Sequence, residues 1–231
     1  MSALLPRLFT NCVAMNRILL CCILLILYNT SFSQAKDTAA AMQQVQSAFE
    51  QGNGVQQILT DKRWMFLHPH TAFRQLMKER AHAAELTIAA DTEAGQRITI
   101  IVSVKNKNGN AIAGASVYVY QTDNRGFYAF DTTHVYGNEG DHRHARLFGY
   151  LLTGKEGSFT LHTIMPKGYP QSALPSHIHC EVTAGNGTLI TELLFDDDPR
   201  LTPAMRTRST QEGFYVAKGD KGAYTYNVIM R

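Results

Sequence analysis

Cysteine is scarce in this chain. Four cysteines occur in 231 residues, and three of them (Cys12, Cys21 and Cys22) lie within the first 33 positions. Cys180 alone follows, so the sequence excludes an internal disulfide after residue 33. The fold must therefore depend on a hydrophobic core. With 45% hydrophobic residues, the chain has enough apolar material for one compact domain with short appendages.

The chain also lacks a marked excess of charge of either sign. Its 22 lysines and arginines stand against 19 aspartates and glutamates, which leaves a formal net charge of +3. No basic block or stripe occurs along the sequence. Because proteins that bind nucleic acid concentrate lysine and arginine on one surface, nucleic acid is not an expected partner.

No apolar run is long enough for a comfortable membrane span, which needs about 20 residues. The longest one near the N-terminus covers residues 18–28, follows Arg17 and precedes the small polar segment 29–33. This arrangement predicts a signal peptide over residues 1–33, with residues 1–14 as an upstream extension of the start. We expect an exported protein, periplasmic or secreted, with no stable membrane span after signal cleavage.

Apolar residues at helical spacing mark the next part of the chain. Ala39, Met42, Val45 and Phe49 predict a helix over residues 37–51. A second helix is predicted over residues 71–83, with Thr71 as its N-cap. Together these helices predict a short helical flank over residues 34–90.

The pattern then changes to short alternating strands separated by glycine-rich turns. Strands are predicted over residues 98–104, 116–121, 158–164, 177–183 and 188–195, with a hairpin turn at residues 184–187. A last hairpin is predicted to join residues 214–217 to residues 223–229. Many short strands of this kind predict a mainly β fold, an antiparallel β-sandwich over residues 91–231.

Four side chains stand out as candidate metal ligands. His177 and His179 are two apart in a predicted strand, so their imidazoles point to the same side. Tyr169 follows a turn rich in proline and glycine, and Tyr128 leaves a strand just after Gly126. Each feature alone is weak, because paired histidines are common on solvated strands and single tyrosines usually serve as packing residues.

In their order along residues 109–195, these side chains give the chain a resemblance to intradiol ring-cleavage dioxygenases, the catechol and protocatechuate dioxygenase group. The matching motifs are Gly109-Asn-Ala-Ile-Ala-Gly114-Ala-Ser-Val-Tyr-Val-Tyr120, Gly126-Phe-Tyr128, Thr153-Gly-Lys-Glu-Gly157-Ser-Phe159, Thr163-Ile-Met-Pro166-Lys-Gly-Tyr169 and Pro175-Ser-His177-Ile-His179. The resemblance implies the family's β-sandwich and a non-haem iron(III) cofactor. It also implies cleavage of a catechol-type ring by O₂ to a muconate-type diacid.

By the same resemblance, all four side chains are iron ligands. Tyr128 and His177 would be equatorial, while Tyr169 and His179 would be axial, with Tyr169 also acting as a catalytic base. Iron(III) is a hard cation that favours anionic oxygen, so two phenolates and two neutral imidazoles suit it. Expected partners are a small catechol-type substrate and O₂, and a homo-oligomer remains open.

One position departs from the family pattern. The family usually carries an arginine three residues before the first ligand histidine, where it contacts substrate, and this chain has Leu174 there. Losing such a charge can cost a few kcal/mol of barrier unless another cation replaces it. We assign Arg146 this catalytic role, with Arg125 as the alternative.

A rival interpretation comes from another class of protein. Exported binding modules of the transthyretin-like or carboxypeptidase-regulatory-like type share the glycine pattern around Gly109 and Gly114. On that interpretation the tyrosines are packing residues and the histidines lie at the surface. The two interpretations differ in whether Tyr128, Tyr169, His177 and His179 meet at one point.

Overall fold

The computed structural model describes residues 37–129, 145–220 and 222–230. The predicted signal peptide lies outside these residues. Tertiary contacts divide the chain into two units, residues 1–47 and residues 48–231. In the first unit the described residues 37–47 are helical and belong to helix α1, which runs over residues 37–50 and confirms the predicted helix. Among the described residues, no helix has the length and apolar character needed to cross a bilayer.

In the described part of the second unit, three further helical segments precede the first strand. They are α2 (Val55–Thr60), a 3₁₀ helix (Lys62–Leu67) and α3 (Thr71–Glu79). The predicted cap of α3 is wrong, since His70 is its N-cap and Thr71 its first helical residue. A last helix, α4 (Pro203–Glu212), is capped by the Thr202 side chain and ends at Gly213, whose φ of 82° suits glycine. The sequence interpretation did not include α4.

The strands that the structure describes number ten, and they form two five-stranded sheets. The first sheet has the order β1-β5-β2-β10-β9 and the second the order β4-β3-β6-β7-β8. The strand bounds are β1 Glu85–Thr87, β2 Arg97–Asn106, β3 Ser116–Gln121, β4 Leu147–Leu152, β5 Ser158–Ile164, β6 His177–Ala184, β7 Gly187–Leu194, β8 Phe214–Val216, β9 Lys218–Asp220 and β10 Ala223–Met230. The mainly β class is confirmed, and so is the hairpin at residues 184–187, where Ala184 pairs with Gly187.

The sheets are mixed, which corrects the purely antiparallel arrangement predicted from the sequence. Strands β1 and β5, β2 and β10, and β7 and β8 pair in parallel. Parallel neighbours need long crossover connections, and the long segments between these partners provide them. Helix α4 lies in one such connection, between β7 and β8.

The predicted C-terminal hairpin is also wrong in its pairing. Residues 214–216 pair with β7 in the second sheet, while β10 pairs with Lys218–Asp220 in the first sheet. The chain changes sheets at Ala217, which is buried and donates its backbone N–H to the Leu194 carbonyl at 2.9 Å. Alternation of side chains along a strand does not specify which sheet the strand joins, so this change of sheet was not visible in the sequence.

The core lies between the inward faces of the two sheets. From β2, Ile98, Ile100, Val102 and Val104 are buried, as their period-two spacing predicted. Gly149 in β4 shows how closely the sheets approach: a Cβ there would lie 2.5 Å from Leu86 Cδ2 and 2.8 Å from Ile88 Cγ2. The absence of a side chain at Gly149 therefore lets Leu86 and Ile88 pack directly on β4.

Candidate metal centre

Strand β6 presents both histidines on one face. Ile178, Cys180 and Val182 alternate with them and point into the core, where each is at most 1% exposed. His177 is buried and His179 is partly exposed. The two imidazoles therefore lie side by side on the outer surface of the strand, with ring centroids 4.8 Å apart, as the period-two pattern predicted.

The loop that carries Tyr128 is organised around the buried carboxylate of Asp123. One of its oxygens accepts the backbone N–H groups of Arg125 at 2.8 Å and Phe127 at 3.1 Å. Its backbone accepts the N–H of Gly126 at 3.1 Å, and its own N–H donates to the Phe127 carbonyl at 2.8 Å. These bonds close a tight turn just before Tyr128 and so fix the direction in which this tyrosine leaves the loop.

A second loop, which carries Tyr169, is joined directly to the first. The hydroxyl of Thr122 donates to the Lys167 carbonyl at 2.7 Å. In return the Lys167 N–H donates to the Asp123 carbonyl at 3.1 Å. The two loops therefore form one hydrogen-bonded unit, although they are far apart in sequence.

Gly126 makes this close approach feasible. Its φ is 92°, and a Cβ at this position would lie 2.7 Å from the Gly168 carbonyl oxygen. A side chain there would push against the backbone just before Tyr169. Glycine is thus required both by the backbone conformation and by the neighbouring loop.

Four polar atoms from these three segments meet at one place. The Tyr128 hydroxyl lies 2.6 Å from the Tyr169 hydroxyl and 2.8 Å from His179 Nε2. The Tyr169 hydroxyl lies 2.9 Å from His177 Nε2 and 3.2 Å from His179 Nε2. The two Nε2 atoms are themselves 3.2 Å apart. The sequence interpretation named these four side chains, and the structure brings all four together.

Hydrogen bonds alone do not account for this cluster. The Nδ1 atom of His177 faces the Pro175 carbonyl at 2.9 Å and must donate to it, so neutral His177 offers an unprotonated Nε2. The cluster contains five close contacts between donor atoms. Tyr128, Tyr169 and His179 can each donate at most one hydrogen to these contacts. At least two of these contacts would then join two acceptors.

A cation at the centre would satisfy every contact. Donor atoms bound about 2.0–2.1 Å from one ion at right angles lie roughly 3 Å apart, which is the separation found in the cluster. Two phenols that can ionise and two neutral imidazoles suit a hard trivalent ion. The residues present therefore fit a metal site, and they fit iron(III) in particular.

The helical flank supports the centre from behind, which the sequence interpretation did not anticipate. Arg74 of α3 donates to the Ala145 carbonyl at 3.1 Å, and His68 Nδ1 donates to the Arg146 carbonyl at 2.6 Å. The Arg146 N–H in turn donates to the Tyr128 carbonyl at 2.7 Å. Burial lowers the pKa of His68 to about 4, so the ring is neutral at physiological pH.

Arg146 was predicted to contact the substrate, but its guanidinium pairs with carboxylates of the protein itself. Its guanidinium donates to both carboxylate oxygens of Glu93, one of them at 2.8 Å, and lies 3.6 Å from Asp123. Its side chain is only 5% exposed. Arg125, the alternative, pairs with Asp123 at 2.8 Å, and Leu174 is an exposed apolar residue. A catalytic role for Arg146 stays a prediction. In the structure its positive charge is paired with the carboxylates of Glu93 and Asp123.

The comparison with known families agrees with this geometry. A family model described as "Dioxygenase" matches residues 72–225, which include all four clustered side chains. The chain belongs to the intradiol ring-cleavage dioxygenase family. This family membership confirms the resemblance found in the ordered motifs, and it accounts for the β-sandwich.

Curated relatives carry names from the same family. The chain is similar to the chlorocatechol 1,2-dioxygenase of Rhodococcus opacus, with 32% identity over 136 residues, or 51% of this chain and 50% of that protein. It is similar to catechol 1,2-dioxygenase 1 of Acinetobacter lwoffii at 30% identity over 134 residues, or 50% of this chain and 41% of that protein. This intradiol dioxygenase chain thus spans about half the length of the curated relatives it matches.

A solved structure supports the fold. A variant of Acinetobacter radioresistens catechol 1,2 dioxygenase superposes with a TM-score of 0.50 at 22% identity, covering 65% of this chain and 57% of that one. At this identity the likeness concerns the fold alone.

Proposed function

We propose that this chain is a non-haem iron(III)-dependent intradiol dioxygenase that cleaves a catechol-type ring with O₂ to a muconate-type diacid. The observation that carries the proposal is the convergence of the Tyr128 and Tyr169 hydroxyls with the Nε2 atoms of His177 and His179. Family membership and the names of the curated relatives support it.

These four residues would hold the iron, which when bound supplies Lewis acidity and a template for an ortho-diol and O₂. The chain contributes a site whose net charge is small, since two phenolates offset most of the charge of a trivalent ion. The Pro175 carbonyl holds the proton on His177 Nδ1 and keeps Nε2 free to bind. The two loops, tied through Thr122 and Lys167, hold the phenols in place.

Tyr169 is the residue suited to proton transfer. Its hydroxyl lies 2.6 to 3.2 Å from each of the three other donor atoms in the cluster. It can therefore give up or accept a proton with little movement of its ring. A catechol must lose two protons to bind through both oxygens. We propose that the Tyr169 oxygen, as phenolate, takes one of them in addition to its role as ligand, and that a hydroxide from solvent takes the other.

The substrate class follows from the relatives and from position 174. The curated relatives are named for catechol and chlorocatechol, so an aromatic ortho-diol is proposed here. Leu174 is 47% exposed in the segment that leads from Tyr169 to His177. An apolar side chain there favours a ring without an anionic substituent nearby.

The proposal is tested by colour and by oxygen uptake. The chain is loaded with iron(III), its visible absorption is recorded, and oxygen consumption is measured with catechol, chlorocatechol and hydroxyquinol. We expect a red-brown band, because phenolate-to-iron(III) charge transfer absorbs visible light, and we expect one O₂ consumed per ring opened. Replacing Tyr128 and Tyr169 together by Phe should abolish the band. Tyr150→Phe, which removes a phenol on β4, should leave it unchanged.

A colourless protein that holds iron and opens no ring would contradict the proposal. The transthyretin-like alternative predicts that result, since it treats the tyrosines as packing residues. It also predicts histidines at the surface, whereas His177 is 7% exposed and in contact with Tyr169.

Export is a separate proposal, based on Arg17 and the apolar run of residues 18–28. We propose that residues 1–33 direct the chain out of the cytoplasm and are then removed. Mass measurement of the protein recovered from the extracellular or periplasmic fraction tests this. Recovery of the uncleaved chain only from the cytoplasm would contradict it.

A further inference from the structure

His179 occupies the middle of a row of three side chains on neighbouring strands. In the pairing of β3 with β6 its partner is Tyr120, and in the pairing of β6 with β7 its partner is Glu192. Directly paired residues point to the same face of a sheet, so all three side chains lie on the outer face of the second sheet. Tyr120 stacks on the imidazole at a centroid distance of 4.4 Å with an interplanar angle of 7°.

Glu192 lies on the other edge of this imidazole from the phenols. Its Oε1 is 3.9 Å from His179 Nδ1, whereas His179 Nε2 is 2.8 Å from the Tyr128 hydroxyl. The separation of 3.9 Å is longer than a hydrogen bond, so the contact is electrostatic. A carboxylate on this side attracts a hydrogen on Nδ1 and thereby disfavours one on Nε2.

Glu192 could instead be read as a metal ligand. His177, His179 and Glu192 offer donor atoms that all lie within 4.8 Å of one another. Two histidines and one carboxylate form a known iron site of a different kind. The direction of His179 decides against this, because its Nε2 joins the phenols while the carboxylate faces Nδ1. Glu192 therefore lies behind the ligand and outside the ring of donor atoms.

We propose that Glu192 is a positioning residue that holds the proton of His179 on Nδ1 and so keeps Nε2 directed at the metal. The inference rests on the proposed function, and it adds a residue that the sequence motifs did not single out. Its counterpart for His177 is the neutral Pro175 carbonyl at 2.9 Å. The two histidines thus differ: one is oriented by a neutral backbone group, the other by a charged side chain and a stacked ring.

The difference has a consequence for metal binding. A carboxylate behind a ligating imidazole makes the imidazole a stronger donor, and removal of such a partner typically lowers metal affinity about 10–100-fold. We expect Glu192→Ala to lower iron(III) affinity by a factor in this range. Glu192→Gln keeps a carbonyl dipole beside Nδ1 but removes the charge that acts across 3.9 Å, so its loss should be close to that of Glu192→Ala and no greater.

The first measurement needs no metal. Long-range ¹⁵N–¹H correlation spectra of metal-free protein labelled on histidine report which ring nitrogen carries the proton. His179 should carry it on Nδ1 in the unaltered chain and should become a mixture of tautomers in Glu192→Ala. An Nε2-protonated His179 in the unaltered chain would overturn the proposal. Because this spectrum does not involve iron, it remains decisive even if the proposed dioxygenase function fails.

The second measurement is a competition between the protein and EDTA for iron(III), monitored by the visible absorption band of the iron-loaded protein. Glu181→Ala is the matched control, because Glu181 lies on the same strand two residues beyond His179 and is also partly buried. The expected order of affinity is the unaltered chain and Glu181→Ala, then Glu192→Gln, then Glu192→Ala. Equal affinity in Glu192→Ala and Glu181→Ala would refute the positioning role. A loss in Glu192→Ala far above about 100-fold would also refute it, since a loss of that size indicates a direct ligand.

Discussion

The hydroxyl of Tyr128 lies 2.6 Å from the hydroxyl of Tyr169, although 41 residues separate them in the chain. Two hydrogen bonds hold their loops together, one from the Thr122 hydroxyl to the Lys167 carbonyl and one from the Lys167 N–H to the Asp123 carbonyl. Two phenols with one hydrogen each gain little from facing each other while both also face imidazoles. Their proximity is best explained by a shared cation.

The contact between the loops should be sensitive to Gly126. Gly126→Ala places a Cβ 2.7 Å from the Gly168 carbonyl oxygen and also strains a backbone with a φ of 92°. We expect a loss of about 1–3 kcal/mol in the free energy of unfolding, and weaker iron binding because Tyr169 is displaced. Gly109→Ala is the control, with a φ of 83° and nothing within 4 Å of its added Cβ. Urea unfolding and iron titration of both variants check this, and equal effects of the two would show that loop contact plays no part.

Arg146 should contribute mainly to stability. Replacing Arg146 by Leu leaves Glu93 and Asp123 without their buried cation, and breaking such a pair typically costs about 3–5 kcal/mol. The exposed pair of Arg63 with Asp61 provides the control, and Arg63→Ala should change the free energy of unfolding far less than Arg146→Leu, because solvent screens an exposed ion pair. Urea unfolding measures both. If Arg146→Leu unfolds like the unaltered chain but opens no ring, the guanidinium serves substrate as the sequence interpretation predicted.

Acid should destabilise the protein through His68. Its pKa is lowered from 6.5 to about 4 by burial, so between these values the unfolded chain binds the proton more tightly than the folded one. The free energy of unfolding should therefore fall as the pH drops from about 6.5 towards 4, by up to about 3 kcal/mol from this residue. His68→Gln should remove that part of the pH dependence, whereas His82→Gln, at an exposed position, should not. Parallel pH profiles of all three proteins would contradict the assignment.

Cys180 should be unreactive while the protein is folded. It is 1% exposed in the core, and burial raises its pKa to about 12, so almost no thiolate exists at neutral pH. Iodoacetamide at pH 8 should leave the peptide containing Cys180 unlabelled in native protein and label it in guanidinium chloride. Peptide mass spectrometry separates this residue from the three N-terminal cysteines. Rapid labelling of the native form would show that β6 opens readily.

Local patterns in the sequence predicted much of the fold. Period-two alternation located β2, β3, β5, β6 and β7. Helical spacing located α1 and α3, although the range predicted for α3, residues 71–83, continued four residues past its end at Glu79. The same alternation predicted that His177 and His179 would share one face of their strand. The pairing between strands was predicted less well from the sequence. Strand β8 pairs with β7 in the second sheet, and β10 pairs in parallel with β2 in the first.

The sequence by itself determined which four side chains could bind a metal, because the residue types and their order matched a family's motifs. Only the tertiary structure decided that their donor atoms meet, since that depends on two loops bonded across many residues. It also decided the surroundings of the site: Glu192 behind His179, and Arg146 held by Glu93. The physical reason is that alternation and turn chemistry act within a few residues, whereas a metal centre and its supporting contacts depend on how distant segments pack.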